Sequence, residues 1–133
     1  MSEPGRPTPG GRRTVTSGSP WEGPYGYSRA VVVGDGCWVA GTTDPSDDHP
    51  GDAAAQARAA LAIIARALGE AGFSLSDVVR TRMYLTDRAD ADAVARIHGE
   101  VFGAVRPAST LVVVRALLEP SMLVEIEAEA RRA

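Results

Sequence analysis

The apolar residues after residue 27 recur with two periods, one typical of strands and one typical of helices. Residues 27–33 and 37–40 are two strand-like runs separated by a Gly-Asp-Gly turn, which predicts a β-hairpin. Residues 79–85 alternate between two kinds of side chain, as expected for a strand with two different faces. Near the end of the chain, the pattern predicts a second hairpin in which residues 109–115 pair with residues 122–130.

Two segments carry the helical period. Asp52 can cap a helix that runs to Ala71, with Gly72 as its stop. A second helix is predicted over residues 89–102, and Pro107 prevents its continuation. Each helix has one apolar stripe, which in the first consists of Leu61, Ile64 and Leu68.

The predicted element order is β-β-α-β-α-β-β, an α+β two-layer sandwich with the helices on one side of the sheet. Residues 1–20 are rich in Pro, Gly, Ser and Thr, and we expect them to form a disordered tail. Residues 21–133 then form one domain. A single chain of this length has nothing left to cover the second face of the sheet, so we expect the chain to oligomerise through that face.

Composition excludes several kinds of chemistry. All 14 basic residues are Arg, so there is no lysine for a Schiff base or for a phosphate-binding P-loop. The net charge of −3 does not favour a nucleic-acid partner. Cys37, the single cysteine, lies in a strand-like run and is expected to be a buried structural thiol. No membrane-spanning run or signal core is visible, so a cytoplasmic location is the default expectation.

The residues of the chain suggest no metal or cofactor site. His49 and His98 lack ligand-spaced partners, and the Gly-Asp-Gly turn does not join a strand to a helix. The remaining candidate is a row of carboxylates, Glu125, Glu127 and Glu129, on one face of the last strand. This face could simply be solvated. If an oligomer interface covers it, at least one glutamate could have a raised pKa suited to acid–base catalysis.

Four motifs resemble those of the Rid family (the YjgF/YER057c/UK114 proteins). Residues 27–30, Tyr-Ser-Arg-Ala, are similar to the Tyr-Ser-Gln-Ala that opens the first strand of that family. Gly41-Thr42, residues 83–87 and the Glu-Ile-Glu-Ala of residues 125–128 resemble three further family motifs. The resemblance implies a chorismate-mutase-like homotrimer that hydrolyses enamines or imines at clefts between subunits, without a cofactor.

The resemblance also implies a set of site residues. Glu125 matches the glutamate that positions the attacking water, Tyr27 matches the pocket tyrosine, and Gly41 matches a pocket glycine. Ala40 and Ala95 stand where the family has Ser and Asn. The remaining residues expected at the pocket are Leu111, Trp21 as a closing residue, and Arg106 as a substitute cation.

The most consequential departure is Ser109, which stands where the family has the arginine that binds the substrate carboxylate. Ser offers one hydroxyl and no charge, and losing a charge-assisted pair commonly costs about 2–5 kcal/mol. Ordinary 2-aminoacrylate deamination is therefore not expected. Three functions stay open: hydrolysis of a small imine, enamine or related electrophile lacking a carboxylate, non-catalytic binding of a small molecule, and a biosynthetic reaction with Glu125 as general base.

Overall fold

The computed structural model describes residues 11–133, which form one mixed sheet with helices against it. The six strands are β1 (Arg12–Val15), β2 (Ala30–Val33), β3 (Gly36–Thr42), β4 (Val78–Leu85), β5 (Ala108–Val113) and β6 (Val124–Arg131). The three α-helices are α1 (Glu22–Tyr25), α2 (Ala53–Glu70) and α3 (Ala91–Phe102). Short 3₁₀ turns, Leu75–Asp77 and Arg88–Asp90, precede β4 and α3.

The strand order in the sheet is β1-β2-β3-β6-β4-β5. All neighbouring strands are antiparallel except β4 and β5, which are parallel and connected through α3. The core lies between the sheet and helices α2 and α3. Its largest fully buried apolar side chains are Phe102, Ile64, Leu68, Leu85, Ile126, Val94 and Val124. The predicted α+β architecture, with the helices on one side of the sheet, is confirmed.

The predicted C-terminal hairpin is wrong. The segment after β5 does not turn back beside it; β6 instead lies between β3 and β4, whereas β5 pairs in parallel with the other edge of β4. A strand–helix–strand connection favours a parallel pair, because the crossover helix returns the chain to the same end of the sheet. Residues 114–123 then carry the chain to β6, a longer connection than a tight hairpin uses.

The expected disordered tail is also wrong for residues 12–15, which form the edge strand β1; residues 1–10 lie outside the described part of the chain. Val15 is buried in the core, and the β1 backbone pairs with β2. The Arg13 guanidinium donates a hydrogen bond to the Ala71 carbonyl just after α2. Few apolar residues are therefore needed here, because ladder hydrogen bonds and one side-chain bond hold the strand.

Two local predictions are confirmed, the cap and stop of α2 and the burial of Cys37. The Asp52 side chain accepts a hydrogen bond from the Ala55 backbone N–H and caps α2, and Gly72 follows the helix with a left-handed φ of +85°. Cys37 is fully buried, and burial raises the pKa of its thiol, which disfavours a nucleophilic thiolate. No helix between residues 11 and 133 is both long and apolar enough to cross a membrane.

The sheet face opposite α2 and α3 carries the alternate residues of each strand; we call it the open face. It includes the three glutamates of β6, Arg80, Arg82 and Tyr84 of β4, and three exposed apolar side chains, Val33, Trp38 and Val112. The alternation along β6 therefore places the glutamates on the face that the sequence indicates.

Candidate active site

The three glutamates of β6 have different electrostatic surroundings. Arg82 of β4 lies opposite them and pairs with two: its Nη1 is 2.8 Å from Glu129 Oε1 and 3.4 Å from Glu127 Oε2. Glu127 also accepts a hydrogen bond from the Tyr84 hydroxyl. No residue of the described chain donates a hydrogen bond to Glu125 or forms an ion pair with it. Glu125 is thus the one carboxylate of the row that is left without a direct partner in residues 11–133.

Glu125 lies against an irregularity in the neighbouring strand. Val39 pairs with Ala128 and Thr42 with Ile126, so β3 uses one more residue than β6 over this stretch. Such a β-bulge bends the strand and redirects its backbone groups, and bulges are common beside active sites. The extra residue falls at Ala40-Gly41. At Gly41 a Cβ would overlap the Glu125 carboxylate, so glycine permits this close approach.

The surroundings of Glu125 favour its neutral form. Burial is the largest influence and raises the pKa of the carboxyl, and repulsion from Glu127 raises it further. The charge of Arg29 acts in the opposite direction without cancelling these effects. A raised pKa makes the ionised carboxylate a stronger base, which suits it to accept a proton from water near neutral pH.

Arg29 lies beside Glu125 and is fixed by the bulge. Its Nη2 donates hydrogen bonds to the carbonyls of Ala40 and Gly41, each at 2.9 Å. Its Nε is buried and has no hydrogen-bond partner in the described chain. Burial lowers the pKa of the guanidinium, while Tyr27, Glu22 and Glu125 oppose that change. A guanidinium stays charged under such conditions, so a cation and an unpaired carboxylate lie next to each other.

A cleft of about 1180 Å³ opens above this pair. Its floor includes Arg29, Ala40, Gly41 and Glu125, and Tyr27 lies at one side. Further walls come from the segment before β2, from α2 and from the loop that precedes β6; they include Trp21, Tyr25, Ile63, Arg66, Ala67, Leu118 and Met122.

The segment before β2 is held by a buried glutamate. Glu22, at the start of α1, accepts hydrogen bonds from the Thr16 hydroxyl at 2.8 Å and from the Ser17 backbone N–H at 3.0 Å. Burial alone would raise its pKa, but these hydrogen bonds hold the pKa of Glu22 below its ordinary value. With this turn in place, the rings of Trp21 and Tyr25 stack at a centroid distance of 5.4 Å and line the cleft.

Of the eight site residues named from the sequence, the structure brings five together in this cleft: Trp21, Tyr27, Ala40, Gly41 and Glu125. The other three, Arg106, Ser109 and Leu111, lie elsewhere in the chain. Ser109 is on the helix-facing side of β5, because it pairs with Thr81, and so faces away from Glu125. Leu111 packs against the core, and Arg106 is exposed in the loop before β5 with a left-handed φ of +56°.

Ser109 belongs to a chain of hydrogen bonds. The Thr81 hydroxyl, fully buried, donates to the Ser109 hydroxyl at 2.8 Å and lies 2.8 Å from His98 Nε2. Burial lowers the pKa of His98, which favours the neutral imidazole. Ala95, which stands where the Rid motif has Asn, is exposed on α3. Within one chain, therefore, position 109 and Glu125 are on opposite faces of the sheet.

Sequence reasoning missed Arg29 and Glu22. Arg29 had a visible signal, because it replaces the Gln of the resembling Tyr-Ser-Gln-Ala motif. Glu22 had none, since its hydrogen bonds depend on how residues 16–19 fold back on α1.

No three His, Cys, Asp or Glu side chains of residues 11–133 are grouped so that they could hold a metal ion. His49 is paired with one acid only: its Nδ1 lies 2.7 Å from Asp44 Oδ2, and this hydrogen bond raises the pKa of the imidazole.

Comparisons with known proteins agree on one family. The sequence profile described as Endoribonuclease L-PSP matches residues 22–132. The crystal structure of Rv2704 from Mycobacterium tuberculosis, described as a member of the YjgF/YER057c/UK114 family, is 50% identical. It superposes with a TM-score of 0.85 and covers 91% of this chain and 99% of that one.

Two sequence relatives support the same assignment. The Streptomyces coelicolor protein SCO2049 is 43% identical over 123 residues, which are 90% of this chain and 92% of the relative. The 3-aminoacrylate deaminase RutC of Acinetobacter baylyi is 43% identical over 82 residues, which are 62% of this chain and 64% of that protein. The resemblance noted from the motifs is thus confirmed, and the chain belongs to the YjgF/YER057c/UK114 (Rid) family, whose profile is described as Endoribonuclease L-PSP.

Proposed function

We propose that this protein hydrolyses a small imine or enamine, with Glu125 activating the attacking water. The observation that carries the proposal is the environment of Glu125 at the floor of the cleft. Its carboxylate is partly buried and has no direct partner in the described chain, and its pKa is raised. Glu127 and Glu129 beside it both pair with Arg82, so the row of carboxylates is not uniformly solvated. The relative named as a 3-aminoacrylate deaminase supports this reaction class, because its substrate is an enamine.

The chemistry needs few groups. Ionised Glu125 takes a proton from a water as the water oxygen bonds to the imine carbon, and the imine nitrogen gains a proton from solvent, which gives a carbinolamine. Protonation of its amine, cleavage of the C–N bond and loss of the hydroxyl proton to solvent release ammonia and leave a carbonyl compound. Glu125 can return its proton in that second step, so one carboxyl acts first as base and then as acid. Tyr27, at the side of the cleft, is positioned to orient the substrate.

We further propose that the working site lies between subunits of a homotrimer. Exposed apolar side chains on the open face, Val33, Trp38 and Val112, favour coverage by other copies, as does Leu118 at 92% exposure on the cleft rim. In such an assembly, the edge strand β5 of one subunit can approach the cleft of the next. Ser109 would then reach a site that it cannot reach within its own chain.

The test of the reaction is ammonia release from imines that an amino-acid oxidase generates in the assay. The protein should accelerate the release above buffer, and Glu125→Ala should abolish the acceleration. Glu129→Ala is the matched control, because it makes the same substitution in the same row at a carboxylate that pairs with Arg82 and does not act on the pKa of Glu125; it should leave the rate unchanged. If a broad set of imines shows no rate above buffer, hydrolysis is excluded and the cleft is left as a binding site or as the site of a different base-catalysed reaction.

Size-exclusion chromatography with light scattering tests the trimer. A monomer in solution would contradict the intersubunit site. Ser109→Arg provides a functional test of the same point, since position 109 faces away from Glu125 in its own chain. In a trimer we expect this variant to gain activity on carboxylate-bearing imines, and an unchanged rate in a folded trimer would contradict the proposed placement of position 109.

The family profile description also names a ribonuclease. A net charge of −3 does not favour the binding of a phosphate backbone. We therefore favour the small-molecule reaction.

A further inference from the structure

Arg29 is a cation at the floor of the cleft; the charges of Glu22 and Glu125 act on it, but without a direct ion pair in the described chain. All of its hydrogen bonds within the described chain come from one nitrogen, Nη2, and go to neutral carbonyls. Nε has no partner, and no carboxylate of residues 11–133 forms an ion pair with the guanidinium. A buried guanidinium nitrogen without a hydrogen-bond partner is unfavourable. A bound anion would supply the missing partner.

The other arginine at the cleft is different. Arg66 of α2 also lines the cleft, but its Nε lies 3.6 Å from Glu70 Oε1 and its side chain is 83% exposed. Its charge is therefore solvated and partly neutralised. Of the two cations, Arg29 is the one that is fixed in position and lies beside Glu125.

The cleft also has an aromatic wall. The rings of Trp21 and Tyr25 stack with an interplanar angle of 15°, and both remain exposed, at 55% and 71%. Both residues line the same cleft as Arg29 and Glu125. Aromatic faces of this kind stack well on planar apolar groups.

We propose that Arg29 is the anion-binding residue of this cleft, and that with the Trp21–Tyr25 wall it selects substrates carrying both an acidic group and a planar apolar group. This inference rests on the proposed function for the reaction itself and adds the substrate class, an imine of an aromatic 2-amino acid. Hydrolysis of such an imine consumes one water and releases ammonia and an aromatic 2-oxo acid. A cation at position 29, just before β2, would thereby replace the one absent at position 109 on β5.

Binding of unreactive probes separates this inference from catalysis. Isothermal titration calorimetry would compare phenylpyruvate, which carries both groups, with pyruvate, which lacks the ring, and with phenylacetone, which lacks the carboxylate. The wild-type protein should bind phenylpyruvate most tightly. Arg29→Gln should weaken phenylpyruvate binding by about tenfold or more, the loss expected for a charge-assisted hydrogen bond, and leave phenylacetone binding unchanged.

Arg66→Gln is the matched control: it makes the same change in charge at the rim of the same cleft, and should alter the affinity less than about threefold, as expected for an exposed paired charge.

Trp21→Ala should weaken the binding of phenylpyruvate and phenylacetone but not the binding of pyruvate. Arg29→Lys keeps the charge and should retain more phenylpyruvate affinity than Arg29→Gln, which distinguishes lost charge from a disturbed bulge. Three outcomes would each overturn the inference. Arg29→Gln and Arg66→Gln could lose the same affinity for phenylpyruvate, Arg29→Gln could lose the same affinity for phenylpyruvate and phenylacetone, or the wild-type protein could bind none of the probes.

The two proposals fail in different ways. Arg29-dependent binding without ammonia release would overturn hydrolysis and support the anion site. The protein could instead release ammonia at the same rate from imines with and without a carboxylate, and Arg29→Gln could leave that rate unchanged. This result would support hydrolysis and overturn the role of Arg29.

Discussion

Gly41→Ala tests the position of the Glu125 carboxylate without changing Glu125 itself. A Cβ built at residue 41 overlaps Glu125 Oε2 and lies 3.1 Å from the carboxyl carbon. The φ of Gly41 does not require glycine, so the only obstacle to alanine is this contact. The added methyl group therefore acts on one functional side chain.

The size of the effect follows from the contact. To reach ordinary van der Waals separation, the carboxylate must withdraw by roughly 1 Å, and a displacement of this size can reduce catalysis by about 100-fold. This corresponds to a loss of about 2.7 kcal/mol of transition-state stabilisation. The free energy of unfolding should fall by only about 1 kcal/mol, because the group that must move is the end of a flexible side chain.

The assay combines rates of ammonia release from imines generated in the reaction with thermal melting. A displaced carboxylate is better solvated, so its pKa should fall, and the acidic limb of the pH–rate profile should move to lower pH in Gly41→Ala. Gly69→Ala serves as control, because a Cβ at this exposed helical position meets nothing within 4 Å. It should leave the rate unchanged and stabilise α2 by about 0.5–1 kcal/mol.

Two outcomes would refute the reasoning. Full kcat/KM in a folded Gly41→Ala protein would show that the carboxylate does not need the position that it occupies beside the bulge. A large fall in melting temperature would show that the strand, rather than the Glu125 side chain, gives way to the methyl group.

Three further variants test the electrostatics and hydrogen bonds. Because the pKa of Glu125 is raised on folding, its ionisation weakens the fold as the pH rises from the ordinary glutamate pKa through the folded pKa. Glu125→Gln should therefore have a higher melting temperature than wild type at neutral pH, and the difference should vanish in acid. A difference that stays constant with pH would contradict this. Glu22 has the opposite sign: its lowered pKa contributes stability above its unfolded pKa that is lost as the pH falls through the folded one. Glu22→Gln should thus be destabilised by about 1–3 kcal/mol at neutral pH and approach wild type in acid, as followed by urea denaturation at several pH values. Thr81→Val removes the hydroxyl that links Ser109 to His98 and should cost about 1–2 kcal/mol in urea denaturation, while a stability equal to wild type would show that these bonds contribute nothing net.

Local features of the fold could be predicted from residues close together in the chain. The Asp52 cap and Gly72 stop of α2 are satisfied within a few residues, and the alternation along β6 decides which side chains share a face. The errors are non-local. Nothing near residues 109–130 indicates that β6 lies between β3 and β4, because that order depends on the crossover through α3 and on which strand edges remain available.

The candidate site divides in the same way. The motifs around Tyr27, Gly41 and Glu125 identify the family, and these residues do meet in one cleft. Ser109 was expected beside them because the motif places the family arginine there, yet it lies on the opposite face of its own subunit. A motif specifies a strand position, but which cleft that position reaches depends on how the strands and subunits pack.

The sequence by itself determined the α+β class, the capped helix α2, the carboxylate face of the last strand and, through its motifs, the family. Only the tertiary structure decided which glutamate of that face is unpaired, because Arg82 approaches Glu127 and Glu129 from a strand more than 40 residues away in the chain. It likewise decided that Arg29 lies beside Glu125, since the bulge in β3 turns two carbonyls toward the guanidinium. Charge pairing depends on distances of a few ångströms between strands, and these distances are set by register and packing rather than by local pattern.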